Sequence, residues 1–316
     1  MKLRYITPLF ALLLLGCNSS DDDSLTNNRP VPLRVVSGIE IEGHVTTRAF
    51  DSKWEDNDKI GLFAVNGGLQ TIFTDEMSTW CSNLPYTFDD ETNYETYESS
   101  SHVYRTFTGT AIYLPSTKVD IYAYYPFCAQ DNNDDGVDDL PPTAIPIDIS
   151  DQTNQKAIDF MRADPVGGRD RSNSTCGLLF KHQLVKLQFN LKKGDDMLAK
   201  EISQAEYEAG RLKIGVRGQN TATCNIYTGD INRTGAITNI YAVPMATPED
   251  GYTMSFEALV LPTGAALGTV TVTIGTTENT FDTDDLLESG KKYIYNITLT
   301  ATSIEVDKDK FTSEQW

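Results

Sequence analysis

Apolar and polar residues alternate with a period of two along much of the chain, the pattern of a strand that buries one face. At Lys118–Tyr124, Val119, Ile121 and Ala123 point one way and Asp120, Tyr122 and Tyr124 the other. Leu184–Leu191, Leu212–Val216, Thr269–Ile274 and Tyr293–Leu299 repeat the alternation, and each is predicted as a strand. Tyr252–Leu261 and Lys59–Val65 carry apolar residues on both faces, which predicts strands covered from both sides. Turn-forming clusters punctuate these runs at Asn66-Gly67-Gly68, Thr228-Gly229-Asp230, Thr263-Gly264 and Ser289-Gly290. One segment has a helical period instead: Leu198, Ile202, Ala205 and Ala209 recur on one face, with Asp195 or Asp196 to cap the helix and Gly210 to end it. The expectation is an all-β chain with one short helix.

The strands fall into two groups on either side of the polar, irregular stretch Asp151–Thr175, which predicts two β-sandwich domains, 33–175 and 176–316. Ahead of them, Lys2 and Arg4 precede the apolar run Leu9–Leu15, which is too short for a membrane span of ~20 residues and reads as a signal peptide over 1–16. Leu14-Leu15-Gly16-Cys17 resembles a lipoprotein lipobox, in which Cys17 is acylated, with palmitate among the chains, and becomes the first mature residue. Residues 17–32 then form the lipidated cysteine and a flexible tether. The acidic Asp21-Asp22-Asp23 resembles a signal that sends lipoproteins of some Gram-negative anaerobes to the outer face of the outer membrane; a merely solvated linker fits it equally well.

Composition narrows the functions. The chain has 316 residues, 40% of them hydrophobic, enough to bury sizeable cores. Its net charge of −19 would repel a phosphate backbone, so no nucleic-acid partner is expected. Fifteen Tyr and 13 Phe favour strands, while three His leave little general acid–base capacity. G-x-S-x-G, H-E-x-x-H, P-loop and G-x-G-x-x-G patterns are missing, and no enzymatic activity is expected. His182 lies beside an alternating strand and reads as a structural histidine. Cys81, Cys128, Cys176 and Cys224 form an even set that allows two disulfides in any of three pairings, or four free thiols. Asp89-Asp90-Glu91 with Tyr86, Tyr94 and Tyr97 makes an acidic, tyrosine-rich loop to which no ligand is assigned.

One insertion has cation-binding spacing. Asp131, Asn133, Asp135 and Asp139 occupy positions 1, 3, 5 and 9 of a loop with Gly136 at 6 and the Val137 carbonyl at 7, an arrangement that wraps oxygens around Ca²⁺. Position 12, where an EF-hand places a bidentate glutamate, is Pro142, and a solvated acidic hairpin tip is the other reading.

Thr47-Arg48-Ala49, the run Trp54-Glu-Asp-Asn-Asp58 through Phe63, and Val119 through Pro126 occur in that order, followed by Phe180–Phe189, the Thr221 to Gly229 turn region and Ser289–Thr298, with a Trp at 316. Together they resemble the fimbrillin-like lipoproteins, type V pilus subunits of Bacteroidetes-type Gram-negative anaerobes. The resemblance implies two transthyretin-like β-sandwich domains and a structural, adhesive subunit of outer-membrane pili. It also implies assembly by donor-strand exchange: an arginine-specific protease removes the first strand and a neighbouring pilin subunit supplies another. The partners so implied are other pilin subunits, that protease, the outer membrane through the lipid, and a host protein or glycan receptor. Arg48 is the candidate cleavage site, because it follows the apolar run Leu33–Ile41 in a polar stretch; Arg29 and Arg34 are rivals, and an ordinary loop arginine is the other reading. The alternative function is a glycan-binding surface lipoprotein beside an outer-membrane transporter, which would stay monomeric and bind polysaccharide.

Overall fold

The computed structural model describes residues 30–40, 53–89, 97–99, 102–130, 138, 140–196, 202–300, 303–307 and 312–315. They form an all-β fold of three main sheets. In the first, Arg34–Ile39 pairs with His102–Gly109 on one side and Thr175–His182 on the other. The sheet continues through Leu84–Phe88, Lys59–Asn66 and Val119–Tyr125. Met161–Ala163 bonds to both Val119–Tyr125 and Thr175–His182, which closes the sheet on itself. Leu62, Ile121, Phe107, Leu178 and Phe180 are fully or almost fully buried in the core this ring encloses.

The other two sheets face each other. In one, Val185–Lys193 lies between Met254–Val260, antiparallel, and Lys291–Leu299, parallel, and Lys291–Leu299 also carries Ile304–Val306 and Thr312–Gln315. The facing sheet runs Ile231–Tyr241, Leu212–Cys224, Ala266–Ile274, Thr277–Leu286. Phe189, Phe256 and Ile297 from one sheet meet Ile214, Val270 and Val272 from the other in a second core. Phe63 and Tyr124, on strands of the first sheet, are buried in that second core, so Lys59–Asn66 and Val119–Tyr125 are covered on both faces. Tyr124 stacks on Phe160 at 6.1 Å between ring centroids, and Arg162 donates to the carbonyls of Ile226 (2.7 Å) and Tyr227 (3.2 Å), tying the first sheet to the turn after Cys224.

The chain order is more interwoven than the two groups of strands suggest. Ile145–Asp148 pairs with the end of Leu212–Cys224 in the facing sheet, whereas Thr175–His182, later in the chain, belongs to the first. The expected boundary between 175 and 176 thus falls inside a strand. The stretch read as irregular holds a helical piece, Gln152–Asn154 followed by Gln155–Ile158, begun by Asp151, which accepts from Thr153 N at 3.0 Å.

The short helix also differs from expectation. It spans Gln204–Glu208, and its cap is Ser203, whose hydroxyl accepts from Glu206 N. Ser203 and Glu206 have the spacing of a capping box, whereas Asp195 and Asp196 sit in the turn that leaves Val185–Lys193. Gly210 ends the helix at φ +70°, as anticipated. Among the described residues no helix is long and apolar enough to cross a membrane.

Candidate functional site

The candidate site is built around the first long strand. Arg34–Ile39 is an interior strand of the closed sheet, held by neighbours on both sides, although it comes from the beginning of the described chain. From its sequence, RVVSGI, Val35 and Ile39 join that core with Leu33 just before the strand, and Val36 is 0% exposed. Bonds beyond the ladder fix both ends: Leu33 N donates to Ile112 O (2.8 Å), Arg34 N to Ser174 O (2.9 Å) and Glu40 N to Phe180 O (2.8 Å). Six residues, Thr175 to Phe180, run parallel beside it.

Trp54 latches the far end. Its indole Nε1 donates to Ser37 O at 3.2 Å, and its ring meets Phe107, Phe180 and Tyr125 edge-on at centroid distances of 5.1, 5.2 and 5.4 Å. Such contacts orient the ring by quadrupole as well as by burial. The turn after Trp54 is built by Asp58, which accepts from Glu55 N (2.7 Å) and from the Tyr125 hydroxyl (3.1 Å). Burial and the Asp58 carboxylate push the Tyr125 hydroxyl far above the usual phenol range. Lys156 reaches Glu55 at 2.6 Å and Asp58 at 3.0 Å; burial opposes its charge, but the two carboxylates hold its ammonium above the ordinary lysine value. Three stretches far apart in sequence, Trp54–Asp58, Val119–Tyr125 and Phe180–His182, thus converge on the end of one strand.

Beside this latch lies a cleft of about 360 Å³ lined by Ile39, Trp54, Asp58, Tyr125, Asp159, His182, Lys186 and Glu257 among others. His182 Nδ1 is 3.0 Å from the Asp159 carboxylate, and Lys186 is 3.2 Å from Glu257. His182 is therefore a buried, paired histidine, the structural role expected of it. Lys186, Gln188 and Asn190, the polar face of a strand predicted to be half solvated, are all buried. Gln188 donates to Asn190 (2.9 Å), which donates to Asn296 on the parallel neighbour (2.9 Å).

The rival cleavage site Arg34 lies inside the first long strand, whereas the lipidation candidate Cys17, the cleavage candidate Arg48, and the calcium candidates Asp131, Asn133, Asp135, Val137 and Asp139 lie outside the described residues. What the structure fixes is their surroundings. Residues 41–52, which contain Arg48, join Glu40 at the end of the buried strand to Lys53 beside Trp54. Beside the acidic loop, Asp138 accepts from Gln130 N (3.1 Å) and Leu140 N (2.9 Å). Cys81, Cys128, Cys176 and Cys224 are free thiols. Burial pushes the Cys176 thiol up to about 12, and Cys176 sits in register with Val35 of the first strand. The role of Trp54 was not readable from the sequence, because its acceptor Ser37 is brought to it only by the fold; an isolated tryptophan beside a turn was the one available sign.

The fimbrillin-like family profile matches residues 47–316. A Bacteroides uniformis protein named as a fimbrium subunit, Fim1C, is 29% identical over 320 residues, which cover 96% of this chain and 93% of that one. Among solved structures, a protein of Bacteroides uniformis described as a cell adhesion protein has a TM-score of 0.60 at 23% identity, over 90% of this chain and 98% of the other. A Bacteroides ovatus protein described in the same words has a TM-score of 0.60 at 20% identity, over 91% and 98%. With the profile matched over most of its length, the chain belongs to the fimbrillin-like family.

Proposed function

We propose that the chain is a structural and adhesive subunit of surface pili, assembled by strand exchange from an outer-membrane lipoprotein anchored through Cys17. The observation that carries this reading is the position of Arg34–Ile39: an interior strand at the beginning of the described chain, joined to the rest of the sheet only through residues 41–52. Hydrolysis of the bond after Arg48 by an arginine-specific protease would leave that strand held by non-covalent contacts alone. Its departure would open a groove with two faces of unpaired backbone, on Thr175–His182 and His102–Gly109, over an apolar floor. A strand from a neighbouring subunit would satisfy both at once, which is the physics of β-augmentation. Arg34 is a poorer site, since its backbone is already bonded inside the sheet. The family match begins at 47, after this strand, and the names of the relatives, a fimbrium subunit and cell adhesion proteins, accord with the role. In this reading the fold is two transthyretin-like β-sandwich domains, the first ending with Thr175–His182, and adhesion uses a host protein or glycan receptor.

The test is limited digestion of the mature, unlipidated chain with an arginine-specific protease, followed by N-terminal sequencing and electron microscopy. A cut after Arg48 followed by filaments, with Arg48→Ala remaining monomeric, supports the reading. Cleavage without polymers, or a folded chain that resists cleavage, refutes the role in the pilus shaft.

A further inference from the structure

The strand Arg34–Ile39 fits its groove in shape but not in polar pairing. By the alternation of a strand, Ser37 shares the inward face of Leu33, Val35 and Ile39. Ser37 is 0% exposed, and among the described residues its Oγ has no hydrogen-bond partner. A second buried hydroxyl without a partner among the described residues, Thr106 Oγ1, stands on the neighbouring strand directly across from Val36. A hydroxyl taken out of water without a partner weakens the state that contains it. Two of them, at adjacent registers of one strand pair, make the resident strand an imperfect occupant. At the next position the constraint is steric: a Cβ on Gly38 would lie 3.0 Å from the Val103 carbonyl oxygen and 3.7 Å from the Tyr104 ring.

We infer that the strand which replaces Arg34–Ile39 carries a hydroxyl residue, a small apolar residue and glycine in the registers of Val36, Ser37 and Gly38. The inference rests on the strand-exchange reading above. Threonine in the register of Val36 has the same shape and brings a hydroxyl within cross-strand reach of Thr106. Alanine in the register of Ser37 removes the stranded hydroxyl and adds nothing that needs a partner. Trp54 asks only for a backbone carbonyl, which any strand offers, so it holds the incoming strand without choosing its sequence. Exchange of a mismatched strand for a matched one runs downhill with no external energy source.

The experiment uses the full mature chain with a site-specific protease sequence inserted between residues 41 and 52, cut after folding. A labelled peptide of residues 30–42 is loaded into the groove and chased with unlabelled peptides, with fluorescence anisotropy as the readout. Ser37→Ala and Val36→Thr peptides are each expected to compete about tenfold better than the native sequence, and Gly38→Ala at least about tenfold worse. In the uncut chain, Ser37→Ala and Val36→Thr raise the denaturant midpoint. Native peptide competing as well as both variants, or Gly38→Ala competing equally, overturns the inference and leaves strand exchange standing. If the native peptide never enters the cut protein, strand exchange itself falls and the inference falls with it.

Discussion

Deleting residues 17–48, so that the mature chain begins at Ala49, removes the strand together with Val31–Pro32, which pairs with Tyr113–Leu114, and the ion pair of Glu40 with Lys181. Leu33, Val35, Val36 and Ile39 are 7%, 1%, 0% and 8% exposed. At about 1.5–3 kcal/mol for each fully buried aliphatic side chain, they contribute roughly 6–12 kcal/mol, before the ladder bonds on both edges are counted. A domain's whole stability is about 5–15 kcal/mol, so the first sheet should not survive as a folded unit. Chemical denaturation followed by tryptophan fluorescence checks this, because Trp54 is packed among Phe107, Tyr125 and Phe180 and loses that environment with the strand. The truncated chain is expected to show the loosened state without denaturant, and a peptide of residues 30–42 added in trans should restore a cooperative transition. A truncated chain with the same midpoint as the whole chain would refute the reasoning, since the strand would then contribute nothing to the sheet it pairs with.

Cys176 provides a second readout: burial raises its pKa to about 12, so at pH 8 the thiol stays protonated and unreactive, whereas an exposed cysteine near 8.5 is partly ionised there. Loss of the strand should raise alkylation at Cys176 by at least about a hundredfold, read by peptide mapping; unchanged labelling would show that Val35 does not shield it. Gly61→Ala places a Cβ 2.2 Å from the Tyr124 ring and 2.6 Å from Asn83 Oδ1, so it should cost about 2–3 kcal/mol in thermal denaturation, and a loss under about 0.5 kcal/mol would contradict that packing. Calorimetric titration with Ca²⁺ should give one site per chain that is lost when Asp131 and Asp135 are both changed to Ala; no heat in the unmodified chain rejects the calcium reading. Cys17→Ser should abolish incorporation of labelled palmitate in cells, and retained label would move the acylation site elsewhere.

How far the sequence reached can be judged strand by strand. Val119–Tyr125, Val185–Lys193, Leu212–Cys224 and Lys291–Leu299 all contain segments read from alternation, because each buries at least one face. Ile231–Tyr241 and Thr277–Leu286 left no such trace. They are edge strands, almost wholly exposed in the first case, so neither face selects apolar residues. The helix cap was misplaced from Ser203 to Asp195 or Asp196 because several acceptors in one polar stretch satisfy the same local rule.

Periodicity and turn chemistry act between near neighbours in the chain, and for that reason the strand-rich class, the turns and the apolar run that becomes Arg34–Ile39 are legible in the amino-acid order alone. The three-dimensional arrangement sets this run parallel to Thr175–Phe180, brings Trp54 to Ser37, and buries the Ser37 and Thr106 hydroxyls without partners among the described residues. Strand pairing joins residues more than a hundred positions apart, and no local pattern records which backbone an edge will meet. The chemistry of the candidate groove depends on that choice.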